Sequence, residues 1–538
     1  MERLQKMARH LVSSSSTAAA PTSPDDILAA HYAAYPHVAS QLKTPTPVAS
    51  PLGPALGESR GMEAYQYWNV QNWTGNVQWN ASKVVVPMSL AQLQEVVRTG
   101  EAPIRVVGRG HSFTPIVECV GGTLISLSSM NGVLGFQPPV VAADGVMVTE
   151  GRLRVEGGTT MEEAIEFLKH QQPPCALKNL PSVPQATIAG AVATGTHGSG
   201  INNENLASHV TAIEFVTAGG SLASFSRETD PERTRDVAVN VGALGVVSSI
   251  EVEVVPWFTG RNFVFAARFS DLLKTGLAQL TNNNAPLCDS WSLMVHDWTQ
   301  HDPDVRLLLK TYVGHWDRSI AAKVYADPVK DYWGENNNVF GDNLWETGVA
   351  IPPSPEHGKK DLSYRGPYHD TVSAGVGDWG VGEDSSCGQQ AEFFVPMAHA
   401  WAALRAVRPV LAKWSRGFEG ESPTSTGLLH HVELRCVKGD SGLLSPQPVD
   451  CLAIHLNMNG LPARLPEVEA QMVELEGVLA QFDARPHWAK LAPHTFTAAR
   501  LEHLYGKAAL TQFRAMALKH DPQGKFLNAW VKEMLFTE

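Results

Sequence analysis

Two glycine-rich stretches of this chain have residue types that could bind an anionic ligand through the backbone. The first reads Arg-Val-Val-Gly-Arg-Gly-His-Ser-Phe over residues 105–113, and the second reads Ala-Gly-Ala-Val-Ala-Thr-Gly-Thr-His-Gly-Ser-Gly over residues 189–200. Each is an apolar run that breaks into glycines and small hydroxylic residues. Because glycine has no side chain to hold a phosphate away, backbone N–H groups can approach it closely. Two such loops predict a large phosphorylated cofactor that is held at more than one section.

A second group of candidate residues lies in the C-terminal half, where acidic, cationic and imidazole side chains alternate with apolar ones. Glu433 and Arg435 are two residues apart, as are His455 and Asn457, and Lys490 adds a further cation. Residues two apart on a β-strand share one face. A base and cations on one face could remove a hydroxyl proton and stabilise developing negative charge. Taken alone, the same residues could equally be a surface ion pair, a core histidine and a solvated lysine.

The elements that must position the first loop can be read from hydrophobic periodicity. Lys83–Pro87 and Ile104–Val107 are predicted strands, and Ser89 with Gln92 marks the start of a helix between them. A second helix is predicted to begin after Thr160. Further predicted strands are Thr123–Leu127, Gly145–Thr149, Leu153–Glu156, Val210–Val216, Ser221–Phe225, Ser249–Val255 and Cys451–Asn457.

Length and composition limit the class of protein. A chain of 538 residues predicts two or three domains. The formal net charge of −12, without a long basic run, argues against nucleic acid or an anionic membrane as the main partner. No run of eighteen apolar residues is present, so no membrane-spanning helix is predicted. The six cysteines form no C-x-x-C pair, and no metal site is predicted.

The N-terminal region, residues 1–71, is predicted to be an unstructured extension. It carries Arg3, Lys6 and Arg9, then serines and alanines, with no acidic residue between positions 2 and 25. This composition is typical of a plastid or mitochondrial transit peptide, and it equally fits a simple polar tail. The compartment is therefore left open between the cytoplasm and an organelle.

The two loops and four other segments resemble the vanillyl-alcohol oxidase superfamily of flavoproteins, in particular its sugar-alcohol and aldonolactone oxidase branch. The other segments are Asn72–Asn76, Glu433–Arg435, Arg485–Lys490 and Asp521–Asn528. The resemblance covers residues 72–538 except for an insertion near 325–385. It implies an α+β, two-domain fold, in which a FAD-binding domain of the PCMH type is combined with a sheet-based substrate cap.

The resemblance also implies domain boundaries. Residues 72–258 would form the FAD domain, and residues 259–480 the substrate cap. Residues 481–538 would complete both the active site and the FAD domain. The insertion near 325–385 has no clear counterpart in the family and could act as a lid over the substrate entrance.

The cofactor implied by the resemblance is FAD. His111 stands where the family's histidine bonds covalently to the flavin 8α-methyl carbon; the alternative is noncovalent FAD beside a bystander histidine. The other residues that the resemblance assigns to FAD are Gly108, Gly110, Ser112, Phe113, Gly190, Thr194, Gly195, Thr196, His197, Gly198, Gly245, Val246 and Asn528. For Asn528, a helix-capping role is an alternative to flavin contact.

The substrate side of the resemblance is an alditol pocket. It implies that Lys490 and His455 handle the hydroxyl proton, while Arg435 stabilises charge near the flavin or the substrate oxygen. Glu433 and Ser182 would hydrogen-bond other hydroxyl groups of the substrate.

Two departures from the family pattern bear on the reaction. Asn457, a candidate substrate-binding residue, stands where alditol-oxidising members carry threonine, and Pro181 stands where a small residue helps to control oxygen access. The expected reaction oxidises a polyol such as xylitol or sorbitol to the aldose, with oxygen reduced to hydrogen peroxide. The alternatives are an oxidase or dehydrogenase for D-arabinono- or L-gulono-1,4-lactone, and a non-enzymatic flavin-binding protein. The sequence predicts no oligomeric state.

Overall fold

The fold is described from a computed structural model for residues 46–48, 63–66, 71–72, 74–143, 145–200, 202–271, 288–295, 297–313, 362–367, 387–415, 428–459 and 465–537. The strands are β1 (Thr46–Val48), β2 (Glu63–Gln66), β3 (Lys83–Val86), β4 (Ile104–Val107), β5 (Thr123–Ser126), β6 (Val133–Gln137), β7 (Val140–Val141), β8 (Met147–Thr149), β9 (Gly151–Glu156), β10 (Cys175–Leu177), β11 (Val210–Val216), β12 (Leu222–Ser226), β13 (Val246–Pro256), β14 (Thr259–Arg268), β15 (Ser290–Val295), β16 (Asp304–Val313), β17 (Leu362–Pro367), β18 (Cys387–Pro396), β19 (Leu429–Val437), β20 (Cys451–Asn459) and β21 (Arg485–Pro486). The α-helices are α1 (Leu90–Thr99), α2 (Met161–Lys169), α3 (Ile188–Ala193), α4 (Pro231–Ala238), α5 (Phe269–Asp271), α6 (Ala400–Ser415), α7 (Leu465–Leu479), α8 (Ala498–Tyr505), α9 (Lys507–His520) and α10 (Ala529–Phe536).

The first sheet has the strand order β1-β2-β3-β5-β4, with β3, β5 and β4 parallel. Helix α1 connects β3 to β4. The hydroxyl of Ser89 accepts a hydrogen bond from the backbone N–H of Gln92 at 3.3 Å, as the capping pattern predicts. The apolar face of α1, including Leu93 and Val97, is buried in the same core as Ile125. This unit delivers the chain into the loop that carries His111.

The second sheet is antiparallel, with the order β12-β11-β13-β9-β6, and β10 also pairs with β13. Helix α2 begins with the predicted capping box. The carboxylate of Glu163 accepts from the backbone N–H of Thr160 at 2.7 Å, and the Thr160 hydroxyl accepts from the Glu163 N–H at 3.2 Å. Leu168 of this helix is buried in one core with Leu153 of β9. Strand β13 ends at Pro256, two residues before the expected end of the FAD domain at residue 258.

The third sheet is antiparallel, with the order β17-β14-β16-β15-β19-β20-β18-β21. Leu434 of β19 and Ile454 of β20 share a core with Leu404 of α6 and Leu475 of α7. Successive strand residues point to opposite faces, so the polar residues next to Leu434 and Ile454 lie on the other face of the sheet. That face is turned toward the cavity described below.

The expectation that residues 1–71 are unstructured is wrong in part, and the insertion near 325–385 also contains a strand. Within the supposedly unstructured residues 1–71, β1 and β2 extend the first sheet, with Tyr65 opposite Val84. Within the insertion near 325–385, β17 pairs with β14 at the edge of the third sheet. Such short strands are stabilised by pairing with distant strands rather than by a periodicity of their own. The remainder of both segments, including the expected lid, lies outside the described residues.

The C-terminal segment contacts both parts of the molecule. The backbone N–H of Ile104 in the first sheet donates to the carbonyl of Lys525 at 2.8 Å, and β21 forms the edge of the third sheet. Within the described ranges, no helix has the length and apolar character needed to cross a bilayer.

Candidate active site

A cavity of about 630 Å³ lies between the loops of the first two sheets and the polar face of the third sheet. Its volume is within the range of ligand sites, roughly 300–1,000 Å³. The N-terminal wall is formed by residues 104–113, 181–183, 186–187, 189–191, 193–194 and 196–197, together with Gly242 and Gly245. The opposite wall is formed by side chains of β18, β19 and β20 and by His487, Ala489 and Lys490. A ligand in the cavity would therefore contact both halves of the molecule.

The loop that carries His111 is fixed directly to the C-terminal segment. The backbone N–H of Phe113 donates to the carbonyl of Ala489 at 2.8 Å. The hydroxyl of Thr114 donates to the carbonyl of Trp488, also at 2.8 Å. These two bonds hold the loop and the residues next to Lys490 in one rigid arrangement.

Two glycines of the predicted loops pack so closely against Thr187 that neither could carry a side chain without a shift. A Cβ atom on Gly108 would lie 2.7 Å from the hydroxyl oxygen of Thr187, and one on Gly190 would lie 2.8 Å from the same atom. Gly110 has a φ of +68°, a conformation that favours glycine. Because Gly108, Gly110 and Gly190 line the cavity, both loops present backbone to it, as close approach to a phosphorylated ligand requires. The residues present fit a dinucleotide of the size of FAD.

Most residues that the sequence assigns to FAD line this cavity. They are Gly108, Gly110, His111, Ser112, Phe113, Gly190, Thr194, Thr196, His197 and Gly245. Gly195, Gly198 and Val246 do not line it. Gly195 packs against the Pro446 ring, Gly198 packs against the carbonyl of Leu180, and Val246 is buried in the core beneath α1.

Asn528 also lies away from the cavity lining, and its contacts are those of a helix cap. Its side-chain oxygen accepts from the backbone N–H of Val531 at 2.9 Å, at the start of α10. Its amide group donates to the carbonyls of Pro115 and Glu118, each at 2.8 Å. The residue therefore fixes the segment that follows the His111 loop, which agrees with the capping alternative.

The polar face of the third sheet carries two cross-strand rows of side chains. Glu392 lies opposite His455, and His455 lies opposite Glu433. In the next row, Gln390, Asn457 and His431 are paired in the same way. We call the first set the ionic row and the second the neutral row. Both rows line the cavity, and Arg435 lies beside the ionic row.

The charged groups of the ionic row are within hydrogen-bond or ion-pair distance of one another. A terminal nitrogen of Arg435 donates to Oε1 of Glu392 at 3.0 Å, and its Nε lies 3.6 Å from Oε2 of Glu433. Nδ1 of His455 lies 3.3 Å from Arg435 Nη2 and 3.5 Å from Glu433 Oε2. Arg435 Nε and His455 Nε2 are buried and have no hydrogen-bond partner among the described residues. Both atoms therefore have unused hydrogen-bonding capacity.

Burial and neighbouring charges set the protonation of these groups. Burial alone would raise the pKa of Glu433, but Arg435 and His455 outweigh it and lower that pKa to about 2. Burial lowers the pKa of His455 below its ordinary value, although Glu392 and Glu433 oppose this. Burial also lowers the pKa of Lys490 to about 8. Near pH 7, Glu433 is ionised, His455 is neutral, and Lys490 is mostly protonated.

Lys490 lies on a turn after β21 rather than on a strand. Its backbone N–H donates to the carbonyl of His487 at 3.0 Å, and the next residue, Leu491, donates to the carbonyl of Gln390 at 2.9 Å. The ammonium group donates to the side-chain oxygen of Gln390 and lies 4.9 Å from the centroid of the Phe113 ring. Lys490 therefore bridges the neutral row and the His111 loop.

His111 lines the same cavity and has a strongly lowered pKa. Burial is the main cause, and the positive charges of Lys490 and Arg109 add to it, so that the pKa of His111 falls to about 4. The imidazole is therefore neutral near pH 7, and a neutral imidazole nitrogen can act as a nucleophile.

The loop before α3 brings Pro181 and Ser182 to the cavity. Asn179 has a φ of +43°, and its amide donates to the carbonyl of Glu204 at 2.6 Å. This turn directs the next residues toward the ligand space, where Pro181 is buried and Ser182 is half-buried.

Sequence reasoning missed Glu392, Gln390, His431 and His487, all of which line the cavity. The sequence does contain a signal for two of these residues, Gln390 and Glu392. In strand β18, Gln390 and Glu392 alternate with the buried apolar residues Ala391 and Phe393. A carboxylate inside an apolar strand is rarely buried without a partner. Within the parts of the chain that the structure describes, no cluster of three His, Cys, Asp or Glu side chains could hold a metal ion.

Known protein families match both halves of the chain. Residues 81–226 match the family described as FAD binding domain, and residues 388–534 match the family described as D-arabinono-1,4-lactone oxidase. Together, the two matches include the His111 loop, the second glycine-rich loop and both cross-strand rows.

Several characterised proteins are similar over nearly their whole length. The alditol oxidase of a Streptomyces species is 30% identical over 474 residues, which are 87% of this chain and 99% of that protein. The L-gulono-1,4-lactone dehydrogenase of Mycobacterium tuberculosis is 26% identical, over 86% of this chain and 98% of that protein. The L-gulonolactone oxidase of Bos taurus is 25% identical, over 88% of this chain and its full length.

These matches agree with the α+β fold, the separate sheet-based region and the glycine-lined cavity. They bear out the predicted FAD cofactor and favour an enzyme acting on CH–OH groups over a flavin-binding protein without activity. The chain therefore belongs to the alditol oxidase and aldonolactone oxidase branch of the vanillyl-alcohol oxidase superfamily, a family of FAD-dependent oxidases.

Proposed function

We propose that this enzyme oxidises a terminal hydroxyl group of a polyol, such as xylitol or sorbitol, to the aldehyde of an aldose. Two electrons and two protons pass to molecular oxygen, which yields hydrogen peroxide. The neutral row carries the argument. Gln390, Asn457 and His431 offer amide and imidazole groups, which suit the hydroxyls of an uncharged chain. The similarity to an alditol oxidase supports the same substrate class.

The proposed reaction assigns a separate task to each residue of the cavity. Bound FAD supplies the acceptor for the hydride that leaves the substrate carbon. His455 is proposed to accept the hydroxyl proton at Nε2, which requires that Nδ1 carry its hydrogen toward Glu433 Oε2, 3.5 Å away, instead of accepting from Arg435 Nη2. The Lys490 ammonium group donates a hydrogen bond to the same substrate oxygen. Arg435 stabilises negative charge through its unpartnered Nε–H.

The remaining hydroxyls of the substrate would be held by neighbouring polar groups. Ser182 and Asn457 are proposed to bind them, and Glu433 accepts a hydrogen bond from one of them. The carboxylate of Glu433 is suited to this because its pKa of about 2 keeps it ionised. Asn457 offers an amide donor and an amide acceptor, so its pattern of hydroxyl recognition differs from that of threonine.

We further propose that FAD is attached covalently through His111. The neutral imidazole, set at the tip of a loop that is pinned to residues 488 and 489, supports this. Backbone groups of residues 108–113 and 190–196 are proposed to hold the remainder of the cofactor.

Oxidation of an aldonolactone is a second candidate function. It is favoured by the match of residues 388–534 to the D-arabinono-1,4-lactone oxidase family and by the lactone-oxidising relatives. One of these relatives is named a dehydrogenase. Pro181, which is buried against the cavity, is the residue through which oxygen access could differ here.

A substrate panel distinguishes these functions. Purified holoenzyme is mixed with xylitol, sorbitol, L-gulono-1,4-lactone or D-arabinono-1,4-lactone, and hydrogen peroxide is measured. We expect peroxide with the polyols, whereas peroxide with lactones alone would reject the proposal. Anaerobic bleaching of the flavin followed by slow reoxidation in air would instead identify a dehydrogenase.

A further inference from the structure

Glu392 is a buried carboxylate that none of the roles above uses. It is 2% exposed, in strand β18 of the third sheet. Its Oε1 accepts a hydrogen bond from Arg435 Nη2 at 3.0 Å and lies 3.1 Å from Nε2 of His197. A carboxylate loses its hydration when it is buried at such a depth, so it is retained only where strong partners surround it.

The two partners of Glu392 come from different halves of the molecule. Arg435 belongs to the third sheet, whereas His197 belongs to the second glycine-rich loop. The other ring nitrogen of His197 lies 2.7 Å from the carbonyl of Gly198. Its ring also packs edge-to-face on Phe394, with 4.9 Å between centroids. Both ring nitrogens of His197 therefore face acceptors, and the orientation of the ring depends on Glu392.

The surroundings of Arg435 indicate where its guanidinium would move without Glu392. Glu433, two residues before Arg435 on β19, is a second carboxylate near the guanidinium. Without Glu392, the guanidinium could turn and form a two-point ion pair with Glu433, which is the geometry that arginine and carboxylates favour. That turn would draw the guanidinium fully onto Glu433 and would occupy the carboxylate that is proposed to bind substrate.

We propose that Glu392 is a positioning residue, which holds the Arg435 guanidinium toward the cavity and ties the His197 loop to the third sheet. This inference rests on the proposed oxidation at a CH–OH group, but it holds for a polyol or for a lactone. Glu392 acts through Arg435 and His197 rather than by contact with the reacting atoms. A misplacement of about 1 Å near a reacting centre can lower a rate by about 100-fold.

The main experiment compares variants as holoenzymes in anaerobic stopped-flow mixing with whichever substrate bleaches the parent flavin. For Glu392→Gln we expect the limiting rate of flavin reduction to fall by about 10- to 100-fold, with a much smaller change in substrate affinity. If polyols fail and lactones bleach the flavin, the proposed substrate is wrong, but the test of Glu392 proceeds unchanged.

A double-variant comparison tests whether the effect passes through Arg435. In an Arg435→Met background, Glu392→Gln should lower the reduction rate by less than about threefold, because the group that it orients is already absent. If each substitution lowers the reduction rate independently, so that the two fold-changes multiply in the double variant, the proposal is wrong. The visible absorption spectrum of the bound flavin provides a second readout, and we expect Glu392→Gln to alter it.

Glu476→Gln is the matched control. Glu476 is 3% exposed and accepts a hydrogen bond from the backbone N–H of His494 at 3.1 Å, away from the cavity. This variant should lose some thermal stability and keep the parent reduction rate. Equal reduction rates in Glu392→Gln and Glu476→Gln would refute the positioning role.

Glu392→Asp provides the test if Glu392→Gln does not fold. Aspartate keeps the charge but withdraws the carboxylate by one methylene group. We expect its reduction rate to fall by about tenfold with the flavin content intact. An unchanged rate in this variant would overturn the proposal.

Discussion

His455 and Lys490 line the same cavity, but they exchange protons at different pH values. The pKa of His455 is lowered below its ordinary value, and that of Lys490 is lowered to about 8, in both cases mainly by burial. Above its pKa, His455 is neutral and can accept a proton. Below its own pKa, Lys490 is a cation and can donate a hydrogen bond. His455 is neutral and Lys490 is protonated at the same time only between their two pKa values.

We therefore predict a bell-shaped pH dependence for the rate of flavin reduction. The rate rises with pH as His455 becomes neutral, below pH 6.5, and falls above about pH 8 as Lys490 loses its proton. Lys490→Met should remove the falling limb and lower the rate by about 100- to 1,000-fold. Stopped-flow reduction across pH 5–10 measures both effects.

Lys413→Met is the control for this prediction. Lys413 is an exposed cation that pairs with Glu474 on the surface of the third-sheet region. Its substitution should leave the pH profile unchanged. A falling limb that persists in Lys490→Met would assign that limb to another group.

The linkage of the flavin is a second prediction at the residue level. When the parent protein is denatured in acid and precipitated, the yellow colour should remain with the polypeptide, because a covalent bond survives unfolding. His111→Ala should release the flavin into the supernatant. His170→Ala, which changes an exposed histidine, should retain it. Colour in the supernatant of the parent protein would contradict covalent attachment.

The sequence identifies single residues of the site where two polar residues are spaced two apart on a predicted strand. Glu433 and Arg435 share a face because they are two apart on a strand, and the same holds for His455 and Asn457. His431 has the same spacing from Glu433, but a histidine without a recognised motif carries no comparable signal.

At the level of elements, capping patterns predicted helix starts well. Ser89 and Thr160 both cap the helices that the sequence predicts, because the cap is a local interaction between neighbouring residues. The register of paired strands, in contrast, does not follow from interactions between neighbouring residues. The rows Glu392–His455–Glu433 and Gln390–Asn457–His431 exist only because β18, β20 and β19 pair in one particular alignment. A slip of one residue would move each row to the opposite face.

The cap on α10 provides a prediction at this level. Asn528→Ala removes three hydrogen bonds, two of which hold the segment after the His111 loop. We expect the free energy of unfolding to fall by about 1–2 kcal/mol, with the flavin retained. Urea denaturation, followed by circular dichroism and flavin absorbance, measures both quantities.

Thr497→Ala serves as a comparison for Asn528→Ala. Thr497 caps α8 through the backbone N–H of Arg500 and touches no predicted flavin loop. It should lower the free energy of unfolding by about 1 kcal/mol. Loss of flavin from Asn528→Ala without loss of stability would instead indicate a direct cofactor contact.

For the whole molecule, one buried cation connects segments that are far apart in the chain. The guanidinium of Arg105 is 4% exposed and donates to four backbone carbonyls. The acceptors are the carbonyls of Ile116, Val241, Gly242 and Phe526. Burial lowers the pKa of Arg105 to about 10, so it remains protonated near pH 7. The residue thus joins the first sheet, the second sheet and the C-terminal segment.

We predict that Arg105→Lys lowers the free energy of unfolding by about 2–3 kcal/mol, since a single ammonium group cannot reach all four carbonyls. Arg152→Lys, at an exposed ion pair with Glu228, should change it by less than about 0.5 kcal/mol. Urea titration of both holoproteins tests the difference. Similar stabilities would mean that water or neighbouring groups replace the lost donors.

The sequence by itself determined the features that depend on neighbouring residues. These are the glycine loops, the helix caps, the alternation of the strands and the resemblance to a FAD-dependent family. Only the tertiary structure decided which polar groups meet, because contacts such as Phe113 to Ala489 and Glu392 to His197 join residues that are 376 and 195 positions apart. No periodicity in the chain encodes such a contact. It arises when strand register and core packing bring the two segments to one cavity.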